Sequence, residues 1–159
     1  MKENARLAGD RRRLLTGLYV SRVDDVNGGP VTTFDIRMTC PGAEPPMETA
    51  AVCAIERLGD GFLRGDPDWR GRVVHFGPMG CRTGFCMILA GSHEPEQILD
   101  LVARMFEFIR DYEGEIPGDP WMTCGSCQDP DLPMAKHYAQ KYLAEVVLSP
   151  DPARFHYPA

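Results

Sequence analysis

The chain lacks several features that would assign it to a class at once. Its longest apolar run, around residues 87–90, is far shorter than the roughly 20 residues that cross a bilayer. It has no internal repeat, and its net charge of −6 argues against a general nucleic-acid binder. No signal-peptide core follows the three arginines at 11–13, so we expect a cytoplasmic protein whose six cysteines stay reduced.

The composition that is present is typical of one globular domain. A chain of 159 residues is long enough to bury a core, and 43% hydrophobic with 25% charged residues is ordinary. We expect a mobile N-terminal arm over residues 1–13 and a single domain over residues 14–159.

Hydrophobic periodicity predicts strands that alternate with long helices. Residues 27–30, Asn-Gly-Gly-Pro, predict a turn, and Ser92 is expected to cap a helix that has Pro95 in its first turn. Because no βαβ rhythm is present, the pattern indicates an α+β fold with an antiparallel sheet. The predicted strands span 18–23, 31–38, 72–76 and 81–90, and two further predicted helices span 48–64 and 134–147.

One cysteine lies in an informative run, Gly77-Pro78-Met79-Gly80-Cys81-Arg82-Thr83-Gly84-Phe85. Gly80 and Gly84 allow the backbone to approach a ligand closely. The neighbouring Arg82 is expected to favour the thiolate of Cys81, which is the reactive form. The alternative is a buried, inert cysteine on a strand, a common fate of intracellular cysteines.

This run resembles the cysteine turn of the S-ribosylhomocysteine lyase (LuxS) family, Pro-Met-Gly-Cys-(Arg/Gln)-Thr-Gly-(Phe/Tyr). Residues 33–37, 61–64 and 124–125 are also similar, and the resemblance covers about residues 17 to 148. It implies a four-stranded antiparallel sheet packed against helices, and a homodimer with sites at the subunit interface. It also implies conversion of S-ribosylhomocysteine to homocysteine and a dihydroxypentanedione, by carbonyl migration and then β-elimination.

The resemblance also implies roles for individual residues. Cys81 and Glu56 fall on the family's acid/base pair, and Arg37 on an arginine that contacts substrate. The family's metal box, His-x-x-Glu-His, falls on residues 53–57, where Cys53 and Arg57 replace the two histidines. Cys124 falls on the third metal ligand, and His75 replaces the family's aspartate six residues before the cysteine.

The replaced metal box leaves the cofactor open between a divalent metal and none. Thiolates of Cys53 and Cys124 bind zinc or iron well, with a third ligand from His75, Cys127 or Glu56. The guanidinium of Arg57 cannot be a ligand, because it stays protonated and has no lone pair. Without a metal, Arg57 could hold a developing enediolate oxygen. Cys53 and Cys124 could also be inert thiols.

Residues 124–127, Cys-Gly-Ser-Cys, have the spacing of a redox dithiol. They lie late in the chain in a loop rich in Pro, Gly and Asp, instead of opening a helix after a strand. This context speaks against thiol–disulfide exchange.

We therefore expect a divergent enzyme that transfers protons at carbon in a small sugar-like or amino-acid-linked thioether, by isomerisation, β-elimination or carbon–sulfur cleavage. One alternative is a non-catalytic relative that binds a small molecule or a partner protein. Another is an S-ribosylhomocysteine lyase with a remodelled metal site. The expected catalytic residues are Cys81, Glu56, His75 and Arg57, with Arg37 and Arg82 on the substrate.

Overall fold

The computed structural model describes residues 10–118, 129–149 and 151–158. Within these ranges, the elements are β1 (Gly17–Val26), β2 (Gly29–Arg37), α1 (Thr49–Gly65), β3 (Val73–Pro78), β4 (Gly84–Ala90), α2 (Pro95–Asp111) and α3 (Leu132–Tyr142). The four strands form one antiparallel sheet in the order β1-β2-β4-β3. This sheet and the helices that pack on it confirm the predicted α+β class. A π-helical turn at Leu143–Val147 follows α3, and short 3-10 helices lie at Arg11–Arg13 and Pro152–Arg154.

The turn between β1 and β2 is the predicted one, and its residues explain its tightness. Asn27 and Gly28 both have positive φ, at 53° and 81°, as a two-residue hairpin turn requires. The carboxylate of Asp25 accepts a hydrogen bond from the backbone N–H of Gly28 at 2.9 Å. The turn therefore sets the register in which Val26 faces Gly29.

The second half of β2, a strand inside the sheet, is buried on both faces. Phe34 and Ile36 point toward the helices and are completely buried in the hydrophobic core. Asp35 and Arg37, which alternate with them, lie on the opposite face and are also buried. The sheet therefore has one apolar face against the helices and, around Asp35 and Arg37, a polar second face.

Two helix starts differ from the prediction. Glu94, and not Ser92, is the residue before α2, and its backbone N–H donates to the side chain of Gln97 at 2.7 Å. Helix α3 begins earlier than predicted, because the carboxylate of Asp131 accepts from the backbone N–H of Met134 at 2.9 Å. No helix in the described ranges has the length and apolarity that a membrane crossing requires.

Two glycines of α1 provide a matched test of how this helix packs on the sheet. A Cβ atom at Gly59 would lie 2.6 Å from a ring carbon of Phe76, whereas one at Gly61 would meet open space. We expect Gly59→Ala to lower the free energy of unfolding by about 1–3 kcal/mol through overpacking. Gly61→Ala should raise it by about 0.5–1 kcal/mol, because the unfolded chain loses entropy. Urea unfolding measures both, and equal effects would contradict this packing.

Candidate active site

Cys81 lies in the turn between β3 and β4. The prediction that it begins the strand is wrong, because β4 starts only at Gly84. The turn is closed by two backbone hydrogen bonds of 2.9 Å, from Met79 N–H to the Gly84 carbonyl and from Arg82 N–H to the Met79 carbonyl. Arg82 has a φ of 57°, a left-handed conformation that is uncommon for a residue other than glycine.

The turn is anchored to the chain that follows β2. The carbonyl of Thr83 accepts from the backbone N–H groups of Met38 and Thr39, at 2.9 and 3.2 Å. A Cβ atom at Gly84 would collide with the carbonyl oxygen of Ile36, so glycine is required there. Gly80, in contrast, faces open space and leaves room for a ligand beside Cys81.

The exposed thiol of Cys81 is the end of a chain of hydrogen bonds. Arg37 Nη1 donates to Thr83 Oγ1 at 2.9 Å, and Thr83 Oγ1 lies 2.9 Å from Cys81 Sγ. Because a guanidinium can only donate, the proton of the Thr83 hydroxyl is left for the sulfur. Burial by itself would raise the pKa of Cys81, but the hydrogen bonds from Thr83 and the charge of Arg37 outweigh it and lower that pKa.

The cation that acts on the thiol is thus Arg37, whereas the sequence suggested Arg82. The Arg82 side chain donates instead to the carbonyl of Met47, at 3.3 Å. Arg37 is only 4% exposed, and Arg82 is part of the turn itself. Their predicted contacts with a substrate stay predictions.

Arg37 is held by a buried carboxylate. Its Nη2 lies 3.4 Å from Asp35 Oδ2, and both side chains are almost fully buried. The hydroxyl of Tyr157, near the C-terminus, donates to the same oxygen of Asp35. Burial of an ion pair requires such additional hydrogen bonds, because both charges have left water.

Glu56 lies on α1 beside His75, and both face the small residue Gly77. A Cβ atom at Gly77 would lie 2.9 Å from His75 Nε2 and 3.7 Å from Glu56 Oε1. Burial raises the pKa of Glu56, and the charge of Asp60 raises it further, while His75 and Arg57 oppose the increase. The two side chains line a cavity of about 450 Å³ with Arg57, Asp60, Gly61, Arg64, Phe76 and Pro117.

Cys81 is not among the residues that line this cavity. Glu56 approaches the end of β3 at Gly77, and Cys81 follows in the next turn. The shared cleft for Glu56 and Cys81 that the resemblance implies therefore stays a prediction.

Arg57 borders two cavities. Besides the cavity of Glu56, it lines a second one of about 390 Å³ together with Gly118 and Asp129. These two residues flank the segment 119–128, which lies outside the described residues and contains Cys124 and Cys127. The flanks of this segment thus line one cavity together with Arg57 of α1.

The described side chains do not fit the family's metal. Arg57, which the resemblance places at a ligand position, has no lone pair to offer. Cys53 lies one helical turn before it, half-buried. In residues 10–118, 129–149 and 151–158, no three His, Cys, Asp or Glu side chains come together as a metal site. A metal would need donors from outside these ranges.

Three residues of this arrangement were not predicted from the sequence. Thr83 belongs to the cysteine run, and that position could have indicated it. Asp35 is two residues from Arg37 on one strand, so alternation could have indicated that both lie on the same face. Tyr157 is 122 residues from Asp35, and no local pattern connects them.

The structure thus combines an α+β fold with a cysteine of lowered pKa in the turn between β3 and β4 and a carboxyl of raised pKa on α1. Comparison with known proteins specifies the family. The family model for S-ribosylhomocysteinase (LuxS) matches residues 9–151. The chain therefore belongs to the LuxS family, which confirms the resemblance seen in the sequence.

Individual relatives agree over most of both chains. An S-ribosylhomocysteine lyase of Finegoldia magna is 52% identical over 131 residues, which are 82% of this chain and 83% of the relative. One of Clostridium beijerinckii is 44% identical over 149 residues, 94% of each chain. One of Borrelia garinii is 41% identical over 143 residues, 90% of this chain and 91% of the relative.

The relay from Arg37 through Thr83 predicts the reactivity of Cys81. Thr83→Val removes the hydroxyl that donates to the sulfur, so we expect the pKa of Cys81 to rise and its alkylation near neutral pH to slow by about threefold or more. Thr83→Ser keeps the hydroxyl and should react like the wild type. Iodoacetamide labelling followed by peptide mass spectrometry measures both rates. Equal rates in the two variants would show that Thr83 does not act on the thiol.

Proposed function

We propose that this chain cleaves the carbon–sulfur bond of S-ribosylhomocysteine, as its relatives are named for doing. Of the functions that the sequence left open, an S-ribosylhomocysteine lyase is favoured by the comparisons over an enzyme for a different thioether. The proposal assigns the proton transfers to Cys81 and Glu56.

One observation carries the proposal: two titratable groups have pKa values displaced toward neutrality from opposite sides. The pKa of the Cys81 thiol is lowered, and the pKa of the Glu56 carboxyl is raised. The lowered thiol pKa favours a thiolate base and the raised carboxyl pKa favours a carboxylic acid, the two forms that general acid–base catalysis requires.

The reaction needs such a pair. Moving a carbonyl along a sugar requires removal of a proton from one carbon and delivery of a proton to the carbonyl oxygen, which gives an enediol. The neighbouring hydroxyl then loses its proton, and the former carbonyl carbon gains one. In the elimination, a base removes the proton next to the carbonyl, the electron pair forms a C=C bond, and the C–S bond breaks. The departing sulfur then takes one proton from an acid, which gives a free thiol. Cys81 supplies the base on carbon, and Glu56 carries protons to and from oxygen.

Arg57 and His75 are the altered elements of this site. The cationic guanidinium of Arg57 lines the cavity of Glu56, where it is suited to hold the negative oxygen that forms when a proton leaves carbon. His75 faces Glu56 across Gly77 and is suited to exchange a proton with it.

A related thioether substrate is the second candidate. It is favoured by Cys53 and Arg57 at the two positions where the family has histidine ligands. A homodimer with sites at the interface remains part of the proposal, on the strength of the family alone.

Removal of either proton-transfer group should abolish thiol release. We expect Glu56→Gln and Cys81→Ala to lower the rate of homocysteine formation from S-ribosylhomocysteine by about a hundredfold or more, the usual effect of losing a general acid or base. Mass spectrometry of the released homocysteine measures the rate without interference from protein thiols.

Cys40→Ser is the matched control, because Cys40 contacts Thr16 and has no part in the proposed chemistry. It should retain the wild-type rate. If the wild type releases no thiol from S-ribosylhomocysteine but does so from another thioether, the second candidate is correct. If it binds such compounds without turnover, the protein is a non-catalytic relative.

Arg57 and a metal are expected to exclude each other, because like charges at short distance repel strongly once water leaves the site. Protein purified without chelators should therefore hold less than one metal ion per chain. Arg57→His should lower turnover and increase metal uptake. Arg64→His, a change of another arginine that lines the same cavity, should do neither. Elemental analysis and the homocysteine assay measure both effects.

One result would contradict the expectation that Arg57 and a metal exclude each other. A stoichiometric metal bound through Cys53 and Cys124, with activity lost on chelation and restored by metal, would refute the role given to Arg57.

A further inference from the structure

We propose that the C-terminal segment is part of the Cys81 site, and that Tyr157 is a positioning residue that directs Arg37 toward Thr83 and the thiol. The inference builds on the proposed role of Cys81. It concerns how the reactivity of this cysteine is set, and its test needs no substrate.

The C-terminal segment around Tyr157 packs against the sheet through specific contacts. Phe155 is 7% exposed and packs in the hydrophobic core. The guanidinium of Arg154 donates to the carbonyl of Thr16 at 2.8 Å. A Cβ atom at Gly17 would collide with the carbonyl of Arg154, so β1 has a glycine where the segment crosses it.

Tyr157 interacts with Tyr19, Asp35 and Arg37. Its ring stacks on Tyr19 with centroids 4.7 Å apart, its hydroxyl donates to Asp35 Oδ2, and it also interacts with the Arg37 side chain. Burial, and then the hydrogen bond to Asp35, raise the pKa of Tyr157 well above its usual value, while Arg37 opposes the increase, so the phenol stays protonated and donates.

The phenol and Arg37 share one carboxylate oxygen. Arg37 Nη2 is 3.4 Å from Asp35 Oδ2, while Arg37 Nη1 is 2.9 Å from Thr83 Oγ1. Because the Tyr157 hydroxyl donates a hydrogen bond to Asp35 Oδ2, that oxygen attracts the guanidinium of Arg37 less strongly. The guanidinium therefore stays closer to Thr83. Without the hydroxyl, Asp35 would draw the positive charge toward itself and away from Cys81.

The other charged group near the thiol does not account for this effect. Arg82 is in the same turn, but its guanidinium donates to the carbonyl of Met47. The charges that connect to Cys81 through described contacts are therefore Arg37 and, behind it, Asp35.

The experiment compares Tyr157 with Tyr19, the tyrosine on which its ring stacks. Tyr157→Phe removes the hydroxyl on Asp35 and keeps the stacked ring. Tyr19→Phe is the control, because the Tyr19 hydroxyl donates to the carbonyls of Leu15 and Ala153 and not to Asp35. The rate of iodoacetamide alkylation is followed from roughly pH 6 to 10, where thiols titrate. Cleavage after Arg72 and Arg82 gives a peptide with Cys81 as its single cysteine.

We expect Tyr157→Phe to slow alkylation of Cys81 at pH 7 by about two- to fivefold and to shift the profile to higher pH, because less thiolate is present. Tyr19→Phe should leave the profile unchanged. Tyr157→Leu, which also removes the ring, should slow alkylation at least as much as Tyr157→Phe.

Wild-type profiles in both Tyr157 variants would overturn the proposal. Equal slowing in Tyr157→Phe and Tyr19→Phe would also overturn it, because the segment would then act only through its general packing. Far-ultraviolet circular dichroism establishes that each variant is folded. If Tyr157→Phe shifts the alkylation profile as expected but the wild-type protein releases no homocysteine, this inference holds and the proposed function fails.

Discussion

The burial of the second half of β2 on both faces is the constraint on which the rest of the structure depends. Phe34 and Ile36 on one face place the helices, and Asp35 and Arg37 on the other face require polar partners. A buried ion pair is costly unless further hydrogen bonds satisfy it. Two partners that supply such hydrogen bonds are Thr83, in the cysteine turn, and Tyr157, near the C-terminus.

This requirement connects stability with chemistry. The same guanidinium that balances Asp35 also holds the hydroxyl of Thr83, and that hydroxyl acts on Cys81. The polar face of the sheet thus lowers the pKa of a thiol in the turn between β3 and β4. The apolar face has a parallel role, because helix α1 packs on Phe76 through Gly59 and thereby brings Glu56 to the end of β3.

Much of the fold could be predicted from the sequence, because its signals are local. Alternation along β2, the Asn27-Gly28 turn and the apolar stripe of α1 each reflect the geometry of a single element. The predictions that failed concern boundaries, where a few hydrogen bonds decide. Glu94 with Gln97 sets the start of α2, and the start of β4 leaves Cys81 in the turn.

The sequence by itself determined the family, the α+β class, and the candidate catalytic residues Cys81, Glu56, His75 and Arg57. Only the tertiary structure decided which cation acts on the thiol. Arg82 is adjacent to Cys81 in the chain, but its backbone is left-handed and its side chain donates to the carbonyl of Met47. Arg37 is distant in the chain and reaches Cys81 through Thr83, because electrostatic effects depend on separation in space and on shared hydrogen bonds.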